Sequence, residues 1–116
     1  MTDDDAALVD RFLDMMAAEA GASRHTIAAY RNDLTAADLA LANGLGRATM
    51  AELAGLAPKW SELAASTLSR RSGVLRRFYG FLHEEGLRGD DPSAALARPK
   101  PPSGGPDTSA RATRAS

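Results

Sequence analysis

Valine and isoleucine together occur only three times in 116 residues, at Val9, Ile27 and Val74. A chain so poor in β-branched apolar residues has little with which to cover the pleated face of a sheet. Its remaining apolar residues are mostly leucine and alanine, and they recur at the helical period rather than in alternation. The expectation is therefore an all-α domain, with 44% hydrophobic residues supplying one modest core.

Four helices are predicted. Leu8, Phe12, Met15 and Met16 fall at i, i+4, i+7 and i+8 and mark a first helix over about Asp5 to Glu19, ended by Gly21. A second opens at Ser23 as N-cap and carries Ile27, Tyr30, Leu34 and Leu41, with Asn43-Gly44 as its stop and Leu45 folding back. A shorter third spans Thr49 to Leu56, with Met50, Leu53 and Leu56 spaced three apart, until Pro58 interrupts it. One further turn follows over Lys59 to Leu63, anchored by Trp60. The fourth and longest starts at Ser66 as cap, carries Leu68, Leu75, Phe78 and Leu82, and stops at Gly86 with Leu87 folding back. Gly73 inside it suits a close helix crossing at a local cost of about 1 kcal/mol. Asp90-Asp91-Pro92 caps a last turn over Ser93 to Leu96, Arg98 to Pro102 is expected to be stiff and extended, and 103–116 disordered.

No cysteine is present, which excludes disulfides, thiolate zinc sites and cysteine nucleophiles. His25 and His83 have no further ligand at metal spacing, so neither metal nor cofactor is expected. No run of apolar residues is long enough to cross a membrane, and the opening Met1-Thr2-Asp3-Asp4-Asp5 is acidic where a signal peptide is basic. A cytoplasmic protein is expected. Tyr30 and Tyr79 sit in helical stripes without a neighbouring base, and no active site is apparent.

The formal net charge of −1 conceals an uneven distribution. Residues 1–20 carry six acids and one base, whereas residues 59–88 carry six bases and three acids. A polyanion responds to the local field rather than to the total. The second and fourth helices both open with hydroxyl and basic residues: Ser23, Arg24 and Thr26 with Tyr30 and Arg31 beyond, and Ser66, Thr67, Ser69, Arg70 and Arg71. A helix N-terminus offers unpaired N–H groups and partial positive charge, which suit phosphate, and arginine adds a forked cation. The same residues also fit a plainer reading, in which the serines are N-caps and the arginines a solvated face. In that reading Arg70, Arg71 and Arg77 pair with Glu62, Glu84 or Asp33.

Three segments together resemble a known family. They are Ser23 with Thr26-Ile27-Ala28-Ala29-Tyr30-Arg31-Asn32-Asp33-Leu34; Ser69-Arg70-Arg71-Ser72-Gly73-Val74-Leu75-Arg76-Arg77-Phe78-Tyr79-Gly80-Phe81-Leu82; and Asp90-Asp91-Pro92-Ser93 with Leu96 and Arg98-Pro99-Lys100. In order and spacing they resemble the N-terminal core-binding domain of tyrosine recombinases of the Xer type, over roughly residues 5–102. The resemblance implies a four-helix orthogonal bundle, SAM-like, forming one half of a clamp on double-stranded DNA. It also implies a paired recombinase subunit in a tetramer on DNA, acting at cell division to resolve chromosome dimers. The DNA-binding positions it implies are Ser23, Arg24, Thr26, Tyr30, Arg31, Ser66, Thr67, Ser69, Arg70 and Arg71. Replacing Arg70 and Arg71 together is then expected to weaken DNA binding without unfolding the bundle.

In this family the catalytic arginines, histidines and tyrosine lie in a larger C-terminal domain. That domain is expected to be absent here, which makes the chain itself no enzyme and a monomer in isolation. Two other readings stand beside this one: the equivalent domain of a phage or transposon integrase, and a helical protein-interaction bundle.

Overall fold

Thr2 starts the first helix. Its hydroxyl oxygen accepts the Asp5 N–H at 3.1 Å, so α1 (Asp3–Glu19) begins two residues earlier than the apolar spacing indicates, with Asp3, Asp4 and Asp5 at the positive end of its dipole. The computed structural model describes residues 1–96, and it continues with α2 (Arg24–Ala40), α3 (Met50–Ala54), α4 (Leu56–Lys59) and α5 (Ala65–Glu84). A 3-10 turn at Pro92–Ala95 closes the described chain. There is no strand among the described residues, as an all-α reading requires. The readings of 98–102 as extended and 103–116 as disordered fall outside the described residues.

Helix stops follow the glycines. Gly21 and Gly86 lie in the left-handed region, at φ of 66° and 71°, and the Leu87 N–H returns to the Leu82 carbonyl at 2.9 Å. Leu87 itself stays 39% exposed, so the apolar fold-back expected there is not made. At the end of α2 the helix breaks at Leu41, before Asn43-Gly44, and Leu41 to Thr49 forms a fixed loop. Leu45 is wholly buried within that loop.

The third segment divides at Gly55 into two short helices. Thr49 caps α3 with a reciprocal capping box through Glu52, while Pro58 lies inside α4 rather than ending it. A proline in the first turn loses no intrahelical bond, which is why it is accepted there. Ser66 is not the cap of α5: Ala64 holds that position and offers no side-chain acceptor. Nothing lies within 4 Å of the Cβ that Gly73 lacks, so it marks no close crossing.

The core is built around Phe12, whose ring meets Phe78 edge-on at 5.6 Å and Phe81 at 5.9 Å. The buried stripe of α1 is Val9, Phe12, Leu13 and Met16, with Leu8 and Met15 at its margin. It is rotated slightly from the stripe the spacing suggests because α1 meets both α2 and α5. Leu34, Leu53, Leu75 and Leu82 are buried as expected, whereas Ile27 packs only at the edge and Met50 is 52% exposed.

The loop between α2 and α3 is held from four directions. Asp38 Oδ1 accepts the Leu45 N–H at 3.1 Å and Asp5 Oδ1 accepts the Gly46 N–H at 3.0 Å. Tyr79 donates to the Leu45 carbonyl, and Arg88 donates to the carbonyls of Gly46 and Ala48 while its guanidinium lies over the Tyr79 ring. This satisfies backbone groups that a buried loop would otherwise leave unpaired.

Candidate nucleic-acid interface

At the start of α2 the Ser23 hydroxyl accepts the Thr26 N–H at 3.2 Å and donates to the Thr26 hydroxyl at 3.0 Å. The first N–H groups of the helix, at Arg24 and His25, have no partner within it. Arg24 is exposed and makes no hydrogen bond or ion pair with the described residues. Arg31 turns toward α1, where it pairs with Asp10 at 3.0 Å with both side chains about half exposed. Arg24 and Arg31 line a shallow groove with Ala17, Ala22, Ile27 and Asn32.

Thr26, Tyr30 and Asp33 follow at i, i+4 and i+7 and share another face of α2. Tyr30 is half-buried against the core. The carboxylate of Asp33, only 1% exposed, is held by two arginines of α5. Arg70 is bidentate to it, Nε to Oδ2 at 2.8 Å and Nη2 to Oδ1 at 3.0 Å. Arg71 donates from Nε to Oδ1 at 3.2 Å and places its guanidinium 5.1 Å above the Trp60 ring. Hydrogen bonding to Asp33 raises the Arg70 guanidinium above its ordinary pKa, with charge attraction to Asp33 adding to it.

Because Ala64 supplies no cap, the first turn of α5 leaves its N–H groups open beside the hydroxyls of Ser66 and Thr67. Ser66 and Ser69 are exposed, and Thr67 is half-buried. Arg70, one turn beyond Ser66, keeps 46% of its side chain exposed, while Arg71 keeps 20%.

The ten residues singled out from the sequence thus divide. Arg70 and Arg71 meet at Asp33 on the seam of α2 and α5, with Thr26 and Tyr30 on the same face of α2 as Asp33. Arg24 and Arg31 lie over the groove toward α1. Of the pairings considered for the arginines, Asp33 is the one Arg70 and Arg71 make. Both therefore carry structure, and their joint replacement strips a buried carboxylate of its partners. The stacking of Arg71 on Trp60 has no signal in the sequence, since it joins residues brought together only by the turn between α4 and α5.

Residues 9–86 match the family described as phage integrase, N-terminal SAM-like domain. The chain belongs to that family. It is 52% identical over 94 residues to the tyrosine recombinase XerC of Erythrobacter litoralis, covering 81% of this chain and 30% of that protein. It is 44% identical over 105 residues to the tyrosine recombinase XerD of Rhizobium meliloti, covering 86% of this chain and 34% of that protein. The XerD of Vibrio cholerae is 38% identical over 103 residues, covering 84% and 34%. The chain spans about a third of the length of these relatives. No solved structure matches it. Among the described residues, no helix is long and apolar enough to cross a membrane.

Proposed function

We propose that this domain, over residues 1–102, is the DNA-binding half of the clamp of a Xer-type tyrosine recombinase. The observation that carries the reading is the 52% identity to a tyrosine recombinase XerC across most of the chain. The α2 and α5 openings supply the chemistry: unpaired N–H groups, short hydroxyls and arginines with exposed edges, all suited to phosphate. Ser23, Arg24, Thr26, Tyr30, Arg31, Ser66, Thr67, Ser69 and Arg70 make the contacts, and Arg71 reaches the backbone with the edge that Asp33 leaves open.

In this reading the whole protein cuts and rejoins duplex DNA through a separate catalytic domain. It works with a paired recombinase in a tetramer, in the cytoplasm, to resolve chromosome dimers at cell division. Closing the clamp raises the affinity of both halves by effective concentration, so the isolated domain binds weakly.

The test is a mobility-shift comparison of this chain on a duplex carrying a Xer recombination half-site and on a scrambled duplex. A clear preference for the half-site supports the Xer assignment. Equal binding to both leaves a DNA clamp without that assignment, and no binding at low salt removes it.

A further inference from the structure

The Asp33 carboxylate raises a question of sign. A negative charge beside a phosphate-binding surface opposes binding, yet this one is buried in the middle of the proposed interface and directed at its arginines. We propose that Asp33 is a positioning residue for DNA binding, holding Arg70 in a fixed orientation with one guanidinium edge presented to phosphate. The proposal rests on the DNA-binding reading above and adds to it a residue that would not itself touch DNA.

The geometry supports this in three ways. Arg70 gives Asp33 its Nε and Nη2, which leaves Nη1 on the opposite edge of a side chain that is 46% exposed. Arg71 shares the same carboxylate, so the three groups together keep one positive charge in excess, and the interface remains attractive to a polyanion. Third, the bidentate contact comes from a residue on a different helix that is itself buried, which fixes the fork relative to the bundle rather than to its own helix. An arginine side chain carries about 2 kcal/mol of rotamer entropy, and a fork already immobilised in the free protein loses less of it on meeting phosphate.

The experiment is a double-mutant cycle on duplex binding, using this chain with Asp33→Asn, Arg70→Ala and the two combined. Each protein is first shown by circular dichroism to be folded at the temperature used. Charge alone predicts that Asp33→Asn tightens binding, because it removes a negative group. The positioning role predicts the opposite: a loss of about tenfold, the size of one well-aligned charge-assisted contact. It also predicts that this loss shrinks to less than about twofold in the Arg70→Ala background. Tighter or unchanged binding by Asp33→Asn overturns the proposal, and so does a loss that persists undiminished without Arg70. Absence of binding by the unsubstituted chain would instead overturn the DNA-binding reading, and the positioning role with it.

Discussion

The Tyr79 hydroxyl donates to the Leu45 carbonyl at 2.7 Å, joining the middle of α5 to the loop that follows α2. Both residues are fully buried. Burial raises the Tyr79 phenol well above its ordinary pKa, because the ionised form would lie in an apolar interior. The folded phenol thus stays protonated at a pH where the unfolded one ionises. Its contribution to stability is complete below about pH 10 and declines as the pH rises beyond it. Tyr79→Phe leaves a buried carbonyl short of a donor and should cost about 1–3 kcal/mol at neutral pH. Urea denaturation at pH 8 and pH 11 should show a smaller alkaline loss in Tyr79→Phe than in the unsubstituted protein.

Arg24→Ala should separate binding from stability, and Arg71→Ala should not. Arg24 has no partner among the described residues, so Arg24→Ala should change stability by less than about 0.5 kcal/mol while weakening DNA binding and lowering the salt slope by about 1. Arg71→Ala removes one partner of a buried carboxylate and the stack on Trp60. It should cost about 1–3 kcal/mol, read by denaturation. With Arg70 also replaced, the loss should be larger than for Arg71→Ala alone, since Asp33 would then have neither partner. The bundle would be weakened as well as its grip on DNA.

Two glycines should respond in opposite directions. A Cβ at Gly46 would lie 2.6 Å from Asp5 Oδ1 and 3.1 Å from Leu8 Cδ1, and would push aside the carboxylate that accepts the Gly46 N–H. Gly46→Ala should cost about 1–3 kcal/mol. At Gly73 a Cβ meets nothing within 4 Å and the backbone is helical, so Gly73→Ala should add about 0.4–1 kcal/mol. Melting temperatures of the two variants give the comparison.

The helices were legible because their signals are local. Gly21 and Gly86 end helices by their own backbone freedom, and the Leu75, Phe78, Leu82 stripe needs only the helical period. What stayed illegible depends on distant partners. Ser66 looks like a cap, but the helix starts two residues earlier than a cap at Ser66 requires, with Ala64 in the cap position. The helical spacing carries α2 through Leu41, yet Asp38 turns its carboxylate to the Leu45 N–H and the helix ends at Ala40. The loop clamp draws on Asp5, Asp38, Tyr79 and Arg88, which no short window contains. At the interface, residue types at helix openings pointed to phosphate chemistry. That Arg31 faces α1 and Arg70 faces α2 is decided only by Asp10 and Asp33 in the folded bundle.

The central claim is that this bundle holds duplex DNA chiefly through its phosphates. The measurement that tests it most directly is the affinity of the chain for a short duplex as a function of salt concentration. Release of counterions by a few arginine contacts predicts a log–log slope of about −4 to −6, with binding steeply lost as salt rises. Affinity that does not change with salt would contradict the account and move the bundle to a protein-interaction role.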